Sequence, residues 1–486
     1  MELLALLALI LLGLSVLIRR RSDNTSRHGG APPAPAVLVH NKIGDPAVVH
    51  RALVENANAF SNRPPMRLHV ALASRRRGQR NENLNSVPHG PHWRALRCNL
   101  TAETLHPSRL GSLAPLQREA VQDLVATLSS KGAAKDLRTH LYGAVFSVVA
   151  RMCFGAGVDG RHVRALCRAT LDFQLAIGVV RPFSRAGSVM DKLAEWRRLR
   201  RLFAIDVRLK EMFLPLIAAR GPPPRTCDDG GRRPYVDALV DLRIAKDDGD
   251  KQAASNTDEG GRRALRDDEM VSLIQEFLGA GTGTVAASLE WALAHLVDKP
   301  EVQEKLRREV DAEAAVSLPR GGAASMPYLQ AVVLETLRMH PPLPVVPRHV
   351  QADTAAGVLG GTGVPPGELY VNFAVADMGR DSRTWTNPDE FQPERFLAGG
   401  EAAGVGPLPG PKEIRMMPFG AGNRFCPGVG MAMVNMKCFL AALVREFEWA
   451  PSSADATGVD LTELDGFFKE MKTPLSARVT RRNQSY

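Results

Sequence analysis

The 486-residue chain is too long for one ordinary small domain and has room for a deep core or for about three domains. With 44% apolar and 23% charged residues it is neither disordered nor fibrous. Its 62 lysines and arginines exceed its 52 acids by 10, which suits an acidic membrane face or an acidic protein partner; no basic stretch carries interleaved aromatics, which argues against nucleic acid.

Residues 3–18 are an apolar run, followed at once by Arg19, Arg20 and Arg21. As a helix the run would span about 24 Å, close to a hydrocarbon core. The positive charge lies behind the run and only Glu2 precedes it, the pattern of an uncleaved signal anchor over residues 1–21 with the rest of the chain on the cytosolic side. Residues 22–35, polar and then rich in proline (Pro32, Pro33, Pro35), form an expected stiff spacer. Residues 36–486 form the expected folded domain.

Apolar residues at three- and four-residue spacing predict helices over 48–60, 115–128, 137–154, 189–217, 267–297, 301–315 and 326–340, with a short piece at 235–244. Asp267, Asp268 and Glu269 favour the positive amino end of the longest one. Extended segments are short: 37–40, 368–373 and 475–480. The expected fold class is mainly α, with a small β-sheet subdomain. None of the six cysteines (Cys98, Cys153, Cys167, Cys227, Cys426, Cys438) forms a CxxC pair, so five are expected as reduced, apolar core thiols.

The sixth is different. In Phe419-Gly420-Ala421-Gly422-Asn423-Arg424-Phe425-Cys426-Pro427-Gly428, glycines permit a tight backbone whose amides approach one atom, and a helix over 429–448 follows directly. Helix-end amides predict a lowered thiol pKa at Cys426. A thiolate held by amides and covered by Phe419 suits iron better than nucleophilic attack, since no histidine is placed as its base; a catalytic cysteine or a plain glycine turn is the alternative.

This decamer resembles the haem-binding loop of the cytochrome P-450 family, which makes Cys426 the axial iron ligand. Companions follow in the family's order. Glu335 and Arg338, three apart on one helix face, resemble the ExxR helix, and Arg395 in Pro393-Glu394-Arg395-Phe396 is the family's third member of a buried ion network. Trp93 and Arg97 resemble the WxxxR helix; with Arg348 and Arg424 they match the family's contacts to the haem propionates, and Phe419 and Gly428 belong to the loop around the ligand. The segment Ala280-Gly281-Thr282-Gly283-Thr284-Val285 is similar to the family's oxygen-binding groove, its glycines costing roughly 1 kcal/mol each in a helix interior. Thr284 matches the family's threonine, but Gly283 stands where the family has an acid and Val285 where it has a second hydroxyl. Proton delivery to bound oxygen ordinarily uses that acid, so Gly283→Asp is expected to raise product per NADPH. Little chain separates the proline spacer from Ala47, so the front of the sheet is expected to be shortened.

The resemblance implies a haem-thiolate monooxygenase of plant microsomal type, bound to the endoplasmic reticulum membrane and facing the cytosol. It implies haem b and O2 as cofactors, NADPH acting through a flavin-containing NADPH–cytochrome P-450 reductase, and a hydrophobic substrate in a pocket lined from residues 77–91, Phe277, Ala280, Thr284, Val285, residues 343–346 and Phe467 to Phe468. The alternatives are a haem-thiolate isomerase or dehydratase acting on a peroxide, and a degenerate, non-catalytic haem-binding chain.

Overall fold

A computed structural model describes residues 42–64, 83–131, 136–155, 157–179, 189–220, 233–245, 261–315, 326–359, 368–452, 458–466 and 468–482. The expected anchor (1–21), the spacer (22–35), the strand over 37–40 and Phe467 lie outside these. Among the described residues no helix is long and apolar enough to cross a membrane.

The order of elements is β1 (Lys42–Ile43), α1 (Pro46–His50), α2 (Pro91–Asn99), α3 (Ala114–Lys131), α4 (Leu137–Phe154), α5 (Gly160–Val179), α6 (Val189–Ala218), α7 (Tyr235–Asp241), β2 (Arg243–Ala245), β3 (Arg262–Ala264) and α8 (Asp267–Asp298). There follow α9 (Pro300–Ala315), α10 (Pro327–Met339), β4 (Val345–Gln351), α11 (Ala352–Leu359), β5 (Glu368–Ala374), α12 (Val375–Gly379), α13 (Val429–Glu446), β6 (Phe447–Pro451) and β7 (Ala477–Arg481). The fold is mainly helical with small sheets. Helix α5 was not foreseen, and the helix expected over 429–448 ends at Glu446, where β6 begins.

Helix α8 is the axis of the large core. It is apolar on nearly every face, as a helix surrounded by others must be. Its start is fixed by Glu269, whose carboxylate accepts the Arg266 N–H at 2.8 Å and pairs with the buried Arg263 at 2.8 and 2.9 Å. Gly281 lets two neighbours close in: a Cβ there would lie 3.1 Å from Val149 of α4 and 3.3 Å from Met431 of α13. Small residues thus bring α8 against both the helix behind it and the helix that begins at the cysteine loop.

The small subdomain has its own apolar core, with Val49, Leu53 and Phe60 packed on Leu369, Val371, Phe373 and Met417. Its sheet has the order β1-β5-β4. Strands β4 and β5 pair antiparallel from Val345↔Ala374 to Gln351↔Glu368, whereas β1 adds two parallel pairs, Lys42↔Asn372 and Ile43↔Phe373. This subdomain carries Arg348 on β4 and abuts the cysteine loop, so it forms one wall of the site.

Candidate active site

The cysteine loop is built by glycines in a conformation that other residues resist. Gly420 and Gly422 have φ of 73° and 70°. At Gly422 a Cβ would sit 2.1 Å from the Leu53 carbonyl, so the loop can lie on the small subdomain only with glycine there. The Cys426 N–H donates to Phe419 O at 2.9 Å, closing the loop beneath Phe419. Gly428 caps α13, and its N–H points at the Cys426 sulfur.

The expected lowering of the thiol pKa is not found. Burial pushes Cys426 up, and the Gly428 amide and the Arg97 and Arg63 guanidiniums only partly offset it. The sequence reveals the helix start, but not how deeply the sulfur is buried. A buried thiolate there needs a cation bonded to it.

Around the loop the structure gathers four arginines. Arg97 donates to Phe425 O at 2.8 Å and stacks on the Phe425 ring at 4.6 Å. Arg424 lies 4.6 Å from the Trp93 ring and donates to the carbonyls of Ser61, Leu84 and Val87 at 2.8, 2.9 and 2.5 Å. The Trp93 indole N–H shares Leu84 O at 3.2 Å. Among the described residues Arg348, 1% exposed, reaches only its neighbour Pro347 O at 3.0 Å and Ala421 O at 3.5 Å. The fourth, Arg63, was missed in the sequence, because one arginine among Ser61, Asn62 and Pro64 carries no periodic signal.

The charge balance of this cluster is unusual. Burial pushes Arg424 down to about 9, with Arg63 adding repulsion; burial also holds Arg348 well below its ordinary value, with Arg63 and Arg424 close by. The acid facing them is Glu276, on α8, which burial raises to about 7 although it accepts the Leu84 and Asn85 N–H groups at 2.9 and 2.8 Å. Among the described residues the buried Nε atoms of Arg63 and Arg348 have no partner. Crowded guanidiniums, two of them with a free Nε among the described residues, beside a half-buried thiol fit a flat cofactor that carries carboxylates at its rim and a metal at its centre. The haem implied by the sequence resemblance therefore fits these residues.

Above the loop, α8 opens where its glycines lie. Ala280 is exposed in mid-helix, and Gly283 and Thr284 are half-buried. Thr284 donates to Ala280 O at 2.9 Å. Phe277 and Val285, expected to line the pocket, turn instead into the core, the Phe277 ring lying tilted against Tyr235 at 4.8 Å.

The ion network on α10 contrasts with the arginine cluster. Arg338 forks onto Glu335 at 2.7 and 2.8 Å and spends its remaining donors on the carbonyls of Gly379, Pro388 and Glu390 at 2.6, 2.7 and 3.2 Å. Arg395 reaches Glu335 at 3.3 Å and Asn387 O at 2.7 Å, and also bonds Thr386 O and Glu401. The backbone of α12 comes so close that a Cβ at Gly379 would lie 2.1 Å from Arg338 O. The Glu335, Arg338 and Arg395 side chains are buried, and each of their nitrogens and carboxylate oxygens has a partner.

A mainly helical fold with a half-buried cysteine at a helix start, ringed by four arginines, is the arrangement that a haem-thiolate site requires. The family model described as "Cytochrome P450" matches residues 39–470. Cytochrome P450 89A9 of Arabidopsis thaliana is 33% identical over 95% of this chain and 88% of its own length. The 2-hydroxyisoflavanone synthase of Glycine max is 28% identical over 74% of this chain and 67% of its own. A zebra fish cytochrome P450 solved with progesterone superposes with a TM-score of 0.70 at 21% identity, covering 96% of this chain and 99% of that one. The chain belongs to the cytochrome P450 family, and is a monooxygenase of the oxidoreductase class that uses haem and O2.

Proposed function

We propose that this chain inserts one oxygen atom of O2 into a hydrophobic organic substrate and reduces the other to water, with electrons from NADPH delivered by a flavin-containing NADPH–cytochrome P450 reductase. Cys426 is the iron ligand, the haem when bound supplying the activation of O2. Trp93, Arg97, Arg348 and Arg424, joined by Arg63, hold its propionates. Phe419 covers the sulfur, and Gly428 aims an amide at it. Thr284 and the open backbone at Gly283 form the groove over the cofactor. The observation that carries this is the crowding of the buried Arg348 and Arg424, with Arg63 and Arg97, around a half-buried thiol at a helix start.

A hydrophobic substrate is supported by the progesterone with which the zebra fish protein was solved. The net charge of +10 suits an acidic reductase, and the apolar run followed by three arginines suits an anchor in the endoplasmic reticulum with the domain in the cytosol. Reconstitution with reductase tests the activity: NADPH consumption dependent on both proteins, and oxygen incorporated from labelled O2 into a lipophilic compound, are expected. Protease protection of microsomes tests the orientation. The missing acid at Gly283 favours a second reading, rearrangement or dehydration of a preformed peroxide. Rapid turnover of a lipid hydroperoxide without NADPH, with no reductase-dependent product, would select it.

A further inference from the structure

Gly283 leaves space where the family places an acid, and the structure fills that space from another helix. A Cβ at Gly283 would lie 3.1 Å from Oε1 and 3.3 Å from Nε2 of Gln174, on α5; one at Gly279, a turn earlier, would lie 3.2 Å from the same nitrogen. The amide therefore covers both glycines of one α8 face. Its orientation is fixed by its partners. Nε2 donates to Gly279 O at 2.7 Å, and a carbonyl can only accept; Oε1 then takes the Tyr142 hydroxyl at 2.8 Å. Burial pushes the Tyr142 phenol up, so it keeps its proton and stays the donor. The remaining buried residues of α5, among them Val163, Leu166, Ala169 and Phe173, are mostly apolar, so the core does not require an amide here.

We propose that Gln174, braced by Tyr142, is a positioning residue of the monooxygenase reaction: its amide takes the place of the absent carboxylate and orients the water that delivers protons beside Thr284. The proposal rests on the haem-thiolate reading. The amide itself gains and loses no proton; the protons come from solvent and the electrons from NADPH. It follows that Gln174 and an acid at residue 283 exclude each other. An aspartate there would set a carboxylate against Oε1, and turning the amide round would put its acceptor against Gly279 O. The gain expected for Gly283→Asp from sequence alone thus requires Gln174 to be shortened as well.

The test uses full-length protein with reductase in lipid and needs no substrate, because NADPH oxidation alone reduces O2 either to hydrogen peroxide, with one NADPH per O2, or to water, with two. Gln174→Leu is expected to cut the water-forming share at least twofold and to shift the C–O stretching band of the ferrous carbon monoxide complex. Tyr142→Phe, which removes only a hydroxyl, is expected to move both readouts in the same direction by less. Gly283→Asp alone is expected to give no gain, and Gly283→Asp with Gln174→Ala to recover the water-forming share. An unchanged ratio and an unchanged stretch in both Gln174→Leu and Tyr142→Phe would make Gln174 a packing residue and overturn the proposal. A wild-type protein with no thiolate-type spectrum would overturn the haem-thiolate reading itself, and is seen before any variant is made.

Discussion

Two arginine-rich regions, one at the cysteine loop and one on α10 behind it, are partnered in opposite ways. Behind it, Arg338 and Arg395 spend their donors on Glu335 and on backbone carbonyls. Around it, Arg63 and Arg348 keep buried Nε atoms with no partner among the described residues, and the guanidiniums of Arg63, Arg348 and Arg424 repel one another. A saturated network holds a fold together. An unsaturated one, costly in the protein alone, is the mark of a place where an anion completes the charge balance.

The sharpest way to break the comparison is to remove one partner from each side. In the saturated region, Glu335→Gln or Arg338→Met strands a buried charge and should cost about 3–5 kcal/mol, measured by chemical denaturation, with loss of folded protein in cells. In the unsaturated region, Arg348→Met should have the opposite sign for the protein without haem: thermal stability held or raised, because a buried, repelled charge is gone. Haem affinity should nonetheless fall at least about tenfold, a loss of about 1.4 kcal/mol, read by titration of haem into the haem-free protein. If Arg348→Met unfolds the protein as Arg338→Met does, the two regions do not differ in kind.

Carboxylates sharpen the same contrast through pH. Burial would raise Glu463, but hydrogen bonds from His340 and Lys469 outweigh it and hold the carboxyl at about 2. Its folded value lies below the ordinary 4.5, so the stabilisation is present above about pH 4.5 and lost as pH falls toward 2. Glu276, raised to about 7, runs the other way: the folded state loses stability as pH rises from about 4.5 through 7. Thermal melts across pH should therefore show the advantage of wild type over Glu463→Gln vanishing in acid. The difference between wild type and Glu276→Gln should instead shift toward the variant as pH rises to neutrality.

What could be read from the sequence was chemistry confined to one short segment. Glu335 and Arg338 are three apart on one helix, and the glycines, proline and cysteine of residues 419–428 sit within one loop, so their spacing carries their geometry. Helix α5 was as local a signal, with Val163, Leu166, Ala169 and Phe173 buried at three- and four-residue spacing and Arg161, Arg164 and Arg168 on the exposed face, and nothing in the physics hid it. Contacts between distant segments were not legible at all. Gln174 meets Gly279 from 105 positions away. Glu276 is a single acid in an apolar stretch, and Arg63 gains its meaning only from the two arginines beside it. The thiol direction was misjudged for the same reason, since a helix start is local and burial is not.

The central claim is that the Cys426 sulfur is the metal's protein ligand. The absorption spectrum of the reduced, carbon monoxide-bound protein tests it most directly, comparing wild type with Cys426→Ser. The account predicts a thiolate-type band in wild type that is absent from the serine variant, while the buried Glu335–Arg338–Arg395 region keeps the variant folded by circular dichroism. The same band in both proteins would contradict it.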